Sequence, residues 1–348
     1  MPGPRPPRIR PALGDAIGFG HQRSAGAFTT RWRPPPKRRW GTVSVLLGAL
    51  ILSACSNSSA SRPKQVPPSI STTTTTTATQ PVPTYLKLGK PTWIISYAAI
   101  TLLHEFGLSN SLVDYFFNNP DTFVIQSEGV NVHRKLPRAI PGENFTSYAA
   151  MRHAFSSHTI FPGTRAILYD DEAWRFTPPA ESRHPATYAA RAAVLAHRFG
   201  MSLIFTPATD LATGGSTGSA GGLTSYQRYL AQGLASQGAR VSDVFEIQAQ
   251  AAEATPAFVP FVTLATAQAR AANPHALVLA GIGTNPVGRP VTTAQLLTAY
   301  RLTRATVQGY WFNVPQTGPK CSLCGTGQPY VAVAFFRSLA SLLARAHS

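Results

Sequence analysis

Acidic residues and cysteines are both scarce in this chain. Of its 348 residues only 14 are Asp or Glu, against 31 Lys or Arg, and there are three cysteines. So few thiols exclude a disulfide-dense small scaffold and leave no second ligand pair for a structural zinc. No Gly-x-Gly-x-x-Gly follows the first strand-like run, so a dinucleotide site has no support, and Gly281-x-Gly283 and Gly214-Gly215 read as loop glycines. A Gly-x-Ser-x-Gly elbow is also missing, which disfavours a Ser-His-Asp hydrolase; His184 and His197 read as surface residues. His104-Glu105 lacks a second histidine at the zincin spacing. No cofactor or metal is therefore expected. Nor does any apolar run reach the roughly twenty residues of a membrane-spanning helix.

Charge and apolar residues are instead gathered at the N-terminus. The first forty residues hold nine Lys or Arg and the single acid Asp15, and the apolar run Val43 to Ala54 follows. A basic segment before a short apolar one reads as a signal peptide; a short buried helix is the alternative. The run ends in Leu52-Ser53-Ala54-Cys55, which resembles a bacterial lipobox. That resemblance implies lipid on Cys55, export, and anchoring to the outer face of the cytoplasmic membrane. Arg38-Arg39 raises a twin-arginine route, but Trp40-Gly41-Thr42 lacks the apolar pair expected there, and an overextended start would also explain the long basic segment. Residues 1–55 are thus read as the signal, and 56–84, rich in Ser, Thr and Pro, as a disordered tether.

Beyond residue 40, 22 basic residues face 13 acids, a balance that favours an anionic surface or polymer. Nucleic acid is disfavoured by the export signal and by the lack of a basic stripe interleaved with aromatics. Outside the cytoplasm Cys321 and Cys324 are expected to pair as a disulfide. The oligomeric state has no sequence signature.

From residue 85 to 348 strand-like runs alternate with helical stretches. Strands are expected at Trp93–Tyr97, Thr122–Ser127, Arg165–Asp170, Met201–Thr206, Val241–Ile247, Ala276–Ala280 and Val307–Asn313. Helices are expected near Ala98–Phe117, Phe145–Phe155, Pro185–Phe199, Thr224–Ala235, Phe258–Ala272, Thr293–Thr303 and Tyr330–Ala346, with Thr292 capping one of them and Gly200 and Gly238 just past helix ends. This alternation implies an α/β fold, a (β/α)8-type TIM barrel with seven clear strands and an irregular eighth in Val130–Leu136, or an incomplete barrel. An open doubly wound sheet is the alternative.

In a barrel the carboxyl ends of the strands share one mouth. The sharpest such end is Tyr169-Asp170-Asp171-Glu172, where alternation puts Asp170 and Glu172 on one face and Asp171 on the other. A plainer reading makes these acids caps or solvated groups. The other strand ends offer Ser96 and Tyr97, then Gln126 and Glu128, Thr206 with Asp210, Glu246 with Gln248 and Gln250, Asn285, and finally Tyr310, Trp311 and Asn313. Trp174 joins them from the segment after Glu172. Amides, carboxylates and indoles around one opening suit a carbohydrate. Expected substrate-binding residues are Gln126, Glu128, Trp174, Gln248, Tyr310, Trp311 and Asn313; structural hydrogen bonding at the mouth is the alternative for Gln248 and Gln250, and a plain core or rim aromatic for Trp311.

This arrangement resembles the TIM-barrel glycoside hydrolases, over roughly residues 92–315. Chitinase-like barrels carry Asp-x-x-Asp-x-Asp-x-Glu, of which Asp170-x-Glu172 is present, while Arg165 and Leu168 stand at the two earlier aspartate positions. Trp311 is similar to the tryptophan that floors the sugar site in that family. The resemblance implies acid catalysis by Glu172, modulated by Asp170, and Glu246 is the expected opposing carboxylate. A surface lipoprotein that binds a glycan or another envelope component without cutting it is the competing class.

Overall fold

A computed structural model describes residues 90–213, 224–318 and 321–346. The expected signal, Cys55, the expected tether and Gly214-Gly215 lie outside the described residues. Eight parallel strands close into a barrel in chain order: β1 (Thr92–Ser96), β2 (Thr122–Ile125), β3 (Ile140–Phe145), β4 (Ala166–Tyr169), β5 (Ser202–Phe205), β6 (Val244–Ile247), β7 (Leu277–Gly283) and β8 (Gly309–Asn313). The expected barrel is therefore complete.

Its missing strand is β3, while Val130–Leu136 contributes only a one-turn helix, α3 (Val132–Lys135). The remaining helices are α1 (Tyr97–Glu105), α2 (Asn110–Phe117), α4 (Tyr148–Ser156), α5 (Pro179–Arg183), α6 (Pro185–Arg198), α7 (Ser225–Ala231), α8 (Leu234–Ala239), α9 (Phe258–Ala272), α10 (Thr293–Thr303) and α11 (Pro329–Ala346). The stretch expected as one helix from Ala98 breaks at Gly107, whose φ of +98° no helix continues. Ser96 and Ser109 cap the two pieces by accepting Ala99 N–H and Leu112 N–H. Thr292 caps α10 in a reciprocal box with Gln295, as expected. Gly238 lies inside α8, and the helix expected at Thr224–Ala235 is split into α7 and α8 at Gly233.

Strand alternation divides the apolar residues between two cores. Ile94, Phe123, Ile125, Ala166, Leu168, Ile204, Val244 and Leu279 fill the barrel interior. The opposite faces, with Trp93, Tyr169, Phe205, Phe245 and Phe312 among them, pack against the helical ring. A short inner core under one end leaves the inward positions beyond it for polar side chains. Among the described residues no helix is long and apolar enough to cross a membrane.

Candidate active site at the carboxyl end of the barrel

Register assembles the mouth. Leu168 pairs with Ile204 and Ile204 with Val244, so two residues further on Asp170, Thr206 and Glu246 form the next inward layer. Thr206 Oγ1 donates to Asp170 Oδ1 at 3.2 Å, and Gln248 Nε2 donates to the same oxygen at 3.0 Å and to the Thr206 carbonyl at 2.9 Å. One acid is thereby held rigidly by two neighbouring strands. Glu172, half-buried, follows on the same parity.

Glu246 is fully buried, and neither of its carboxyl oxygens has a hydrogen-bond partner. Burial first, then the charges of Asp170 and Glu172, hold its pKa well above the usual carboxylate range. Glu246 reaches this place because Gly281 on β7 has no side chain: a Cβ there would stand 2.5 Å from Glu246 Oε1 and 2.3 Å from the Gln250 side chain. The sealed position does not offer Glu246 to a substrate as an opposing carboxylate.

Trp311 packs against the inner core and is half-buried, so its indole faces the mouth. Asn313, two residues on, is also partly exposed, and its carbonyl accepts Thr284 N–H at 3.1 Å. A cavity of about 620 Å³ adjoins this side, lined by Ser96, Tyr97, Ser127, Val314 and Gln316 among others.

Other expected members are elsewhere. Tyr310 points outward into the helical ring, fully buried, with its hydroxyl donating to the Tyr300 carbonyl at 3.1 Å and lying 3.0 Å from Thr303 Oγ1. Strand parity with Phe312 dictates this, so Tyr310 is not a mouth residue. Gln126 shares the outward parity of Val124. Its amide donates to Thr164 Oγ1 at 2.9 Å and accepts Val132 N–H at 3.4 Å, a structural strap and not a sugar contact. Glu128 sits on an exposed turn. Trp174 spends its indole N–H on Thr177 Oγ1 at 2.9 Å, which ties the segment after β4 to Thr146. Asn285 is buried and donates to the carbonyls of Cys324 and Thr326, so it pins a loop. Within that loop Cys321 and Cys324 form a disulfide.

Behind β4 lies a second acid group. Asp171 is fully buried on the outer side, and its pKa is pushed up to about 8 by burial and then by Glu181, Asp170 and Asp210. Glu181 accepts Tyr148 N–H at 2.6 Å, Ala149 N–H at 3.1 Å and the Tyr169 hydroxyl at 3.0 Å. It closes the N-terminus of α4. Asp171 is thus neither a cap nor solvated.

Asn144 was not among the expected residues. It follows Gly142 on the inward parity of β3, pairs with Leu168, and its buried Oδ1 has no partner. Recognising β3 as a strand would have found it. Among the described residues no cluster of three or more His, Cys, Asp or Glu could hold a metal ion.

No protein-family model matches the chain, and no curated protein matches it. Solved structures do resemble it. A chitinase from Chromobacterium violaceum superposes with a TM-score of 0.39 at 13% identity, covering 72% of this chain and 99% of that one. A β-1,3-glucanosyltransferase from Rhizomucor miehei gives 0.38 at 10%, covering 68% and 91%. The spore cortex-lytic enzyme of Bacillus megaterium gives 0.39 at 9%, covering 72% and 73%. At these values the likeness is one of barrel architecture.

Proposed function

We propose that the chain is an exported lipoprotein, anchored through Cys55, whose barrel cleaves a glycosidic bond with carboxyl groups at its mouth. The observation that carries this reading is the layer of Asp170, Thr206 and Glu246 beneath Glu172, fixed by Gln248 and faced by Trp311. Glu172 donates the proton to the leaving oxygen. Asp170, held by two donors, faces the positive charge that develops on the sugar ring, and water then adds to the charged ring carbon while its proton returns to Glu172. Glu246 lies in the same layer as Asp170, its pKa raised by burial and by the charges of Asp170 and Glu172. Trp311 offers its face to the sugar.

Incubating the protein with a panel of cell-wall and storage glycans tests this. Glu172→Gln should lower turnover of any cleaved glycan by at least about a hundredfold with unchanged melting, since the amide keeps the shape but has no proton to give. Wild-type turnover in that variant would remove Glu172 from the reaction. Glycan binding without cleavage is the second reading, favoured by Leu168: it fills the inner core where chitinase-like motifs place an aspartate. Binding by a wild-type protein that cleaves nothing in the panel would select it.

A further inference from the structure

Between residues 129 and 209 the acids have left the outer surface. Glu143, Asp170, Asp171 and Glu181 are buried, and Glu172 belongs to the mouth. The basic residues of the same stretch stay outside. On the adjacent helices α4 and α6, Arg152, His153, Arg191 and Arg198 are all exposed. Asp243, just before β6, is engaged with His197 of α6 at 2.8 Å.

Apolar side chains stand among these cations. Val194, 72% exposed, lies between Arg191 and Arg198 on the outward stripe of α6, where spacings of three and four residues align side chains. Phe199 ends the same helix half exposed, its ring 4.6 Å from that of Phe155. Leu264 and Leu302, the comparable exposed residues of α9 and α10, are on other helices.

We infer that the outer face of α4 and α6 is a docking surface for an anionic phospholipid bilayer. Guanidinium groups attract the headgroups, and the apolar side chains between them enter the boundary with the acyl region. A soluble polyanion would use the arginines but gain nothing from Val194 or Phe199. A second copy of the chain would set arginine against arginine. The inference rests on the barrel wall and not on the mouth, so Glu172→Gln should dock as wild type does.

The test uses full-length chain carrying Val194→Trp, whose added emission is taken as the difference from the parent. With vesicles of phosphatidylcholine and phosphatidylglycerol the difference emission should shift to the blue and be quenched by brominated acyl chains. With phosphatidylcholine alone it should not. Arg191→Glu with Arg198→Glu should weaken the response at least about tenfold, and 0.5 M NaCl should do so without those two changes. The N-terminal segment is common to all variants, so it cannot generate the difference. An unshifted, unquenched signal overturns the inference, as does a response indifferent to both charge reversal and salt. An equal shift with soluble polyphosphate would assign the face to a polyanion, and one that depends on protein concentration without vesicles would assign it to self-association; either result also overturns it.

Discussion

Tyr310 and Trp311 are neighbours in sequence with opposite fates, because consecutive side chains of β8 point to opposite sides of the barrel wall. Tyr310→Phe should therefore destabilise the fold by about 1–2 kcal/mol, the cost of leaving buried partners unpaired, and should not alter glycan affinity. Trp311→Ala should do the reverse at the mouth, weakening glycan binding at least about tenfold. Titration calorimetry and thermal melts on the two variants check this, and an affinity loss in Tyr310→Phe would contradict the assignment. The sequence carries this distinction in the alternation of the expected strand Val307–Asn313, which puts Tyr310 and Trp311 on opposite faces. It also separates Asp170 from Asp171, since alternation alone was enough once Arg165–Asp170 was recognised as a strand.

At the scale of elements, apolar runs between helical stretches revealed seven strands and missed β3. Its sequence Ile140-Pro141-Gly142-Glu143-Asn144-Phe145 contains four residues that are poor strand formers. It is a strand because its neighbours β2 and β4 pair with it on both sides and because Gly142 leaves room for Ile125 within the barrel. No local pattern carries such information, and Asn144 and the strap role of Gln126 went unseen with it. The union of α4 with the segment after β4 is similarly non-local. Glu181→Ala should cost about 3 kcal/mol, because two N–H groups at the start of α4 and the Tyr169 hydroxyl lose their acceptor. It should also lower the pKa of Asp171, since Glu181 is the charge that raises it most. Chemical denaturation and carboxyl-resolved NMR titration measure the two effects, and a stable variant with an unmoved Asp171 would refute the coupling.

For the whole molecule, six of the thirteen acids among the described residues are buried. Asp171 and Glu253 both titrate near pH 8 in the folded chain, each chiefly through burial, against values of 3.8 and 4.5 for free side chains. Between those limits the folded state holds protons that the unfolded chain releases, so stability falls as pH rises, by about 1.4 kcal/mol per unit for each such group. Melting temperature should accordingly increase when the pH is lowered from 8 to 5. A flat or inverted profile over that interval would show that these carboxyls are solvated.

The same withheld protons leave a calorimetric signature. Unfolding near pH 7 must discharge them from Asp171 and Glu253 into the surrounding buffer, which takes them up with its own heat of ionisation. The apparent unfolding enthalpy in Tris should then differ from that in phosphate at equal pH and temperature. The slope of that enthalpy against buffer ionisation heat counts the acids that folding keeps neutral.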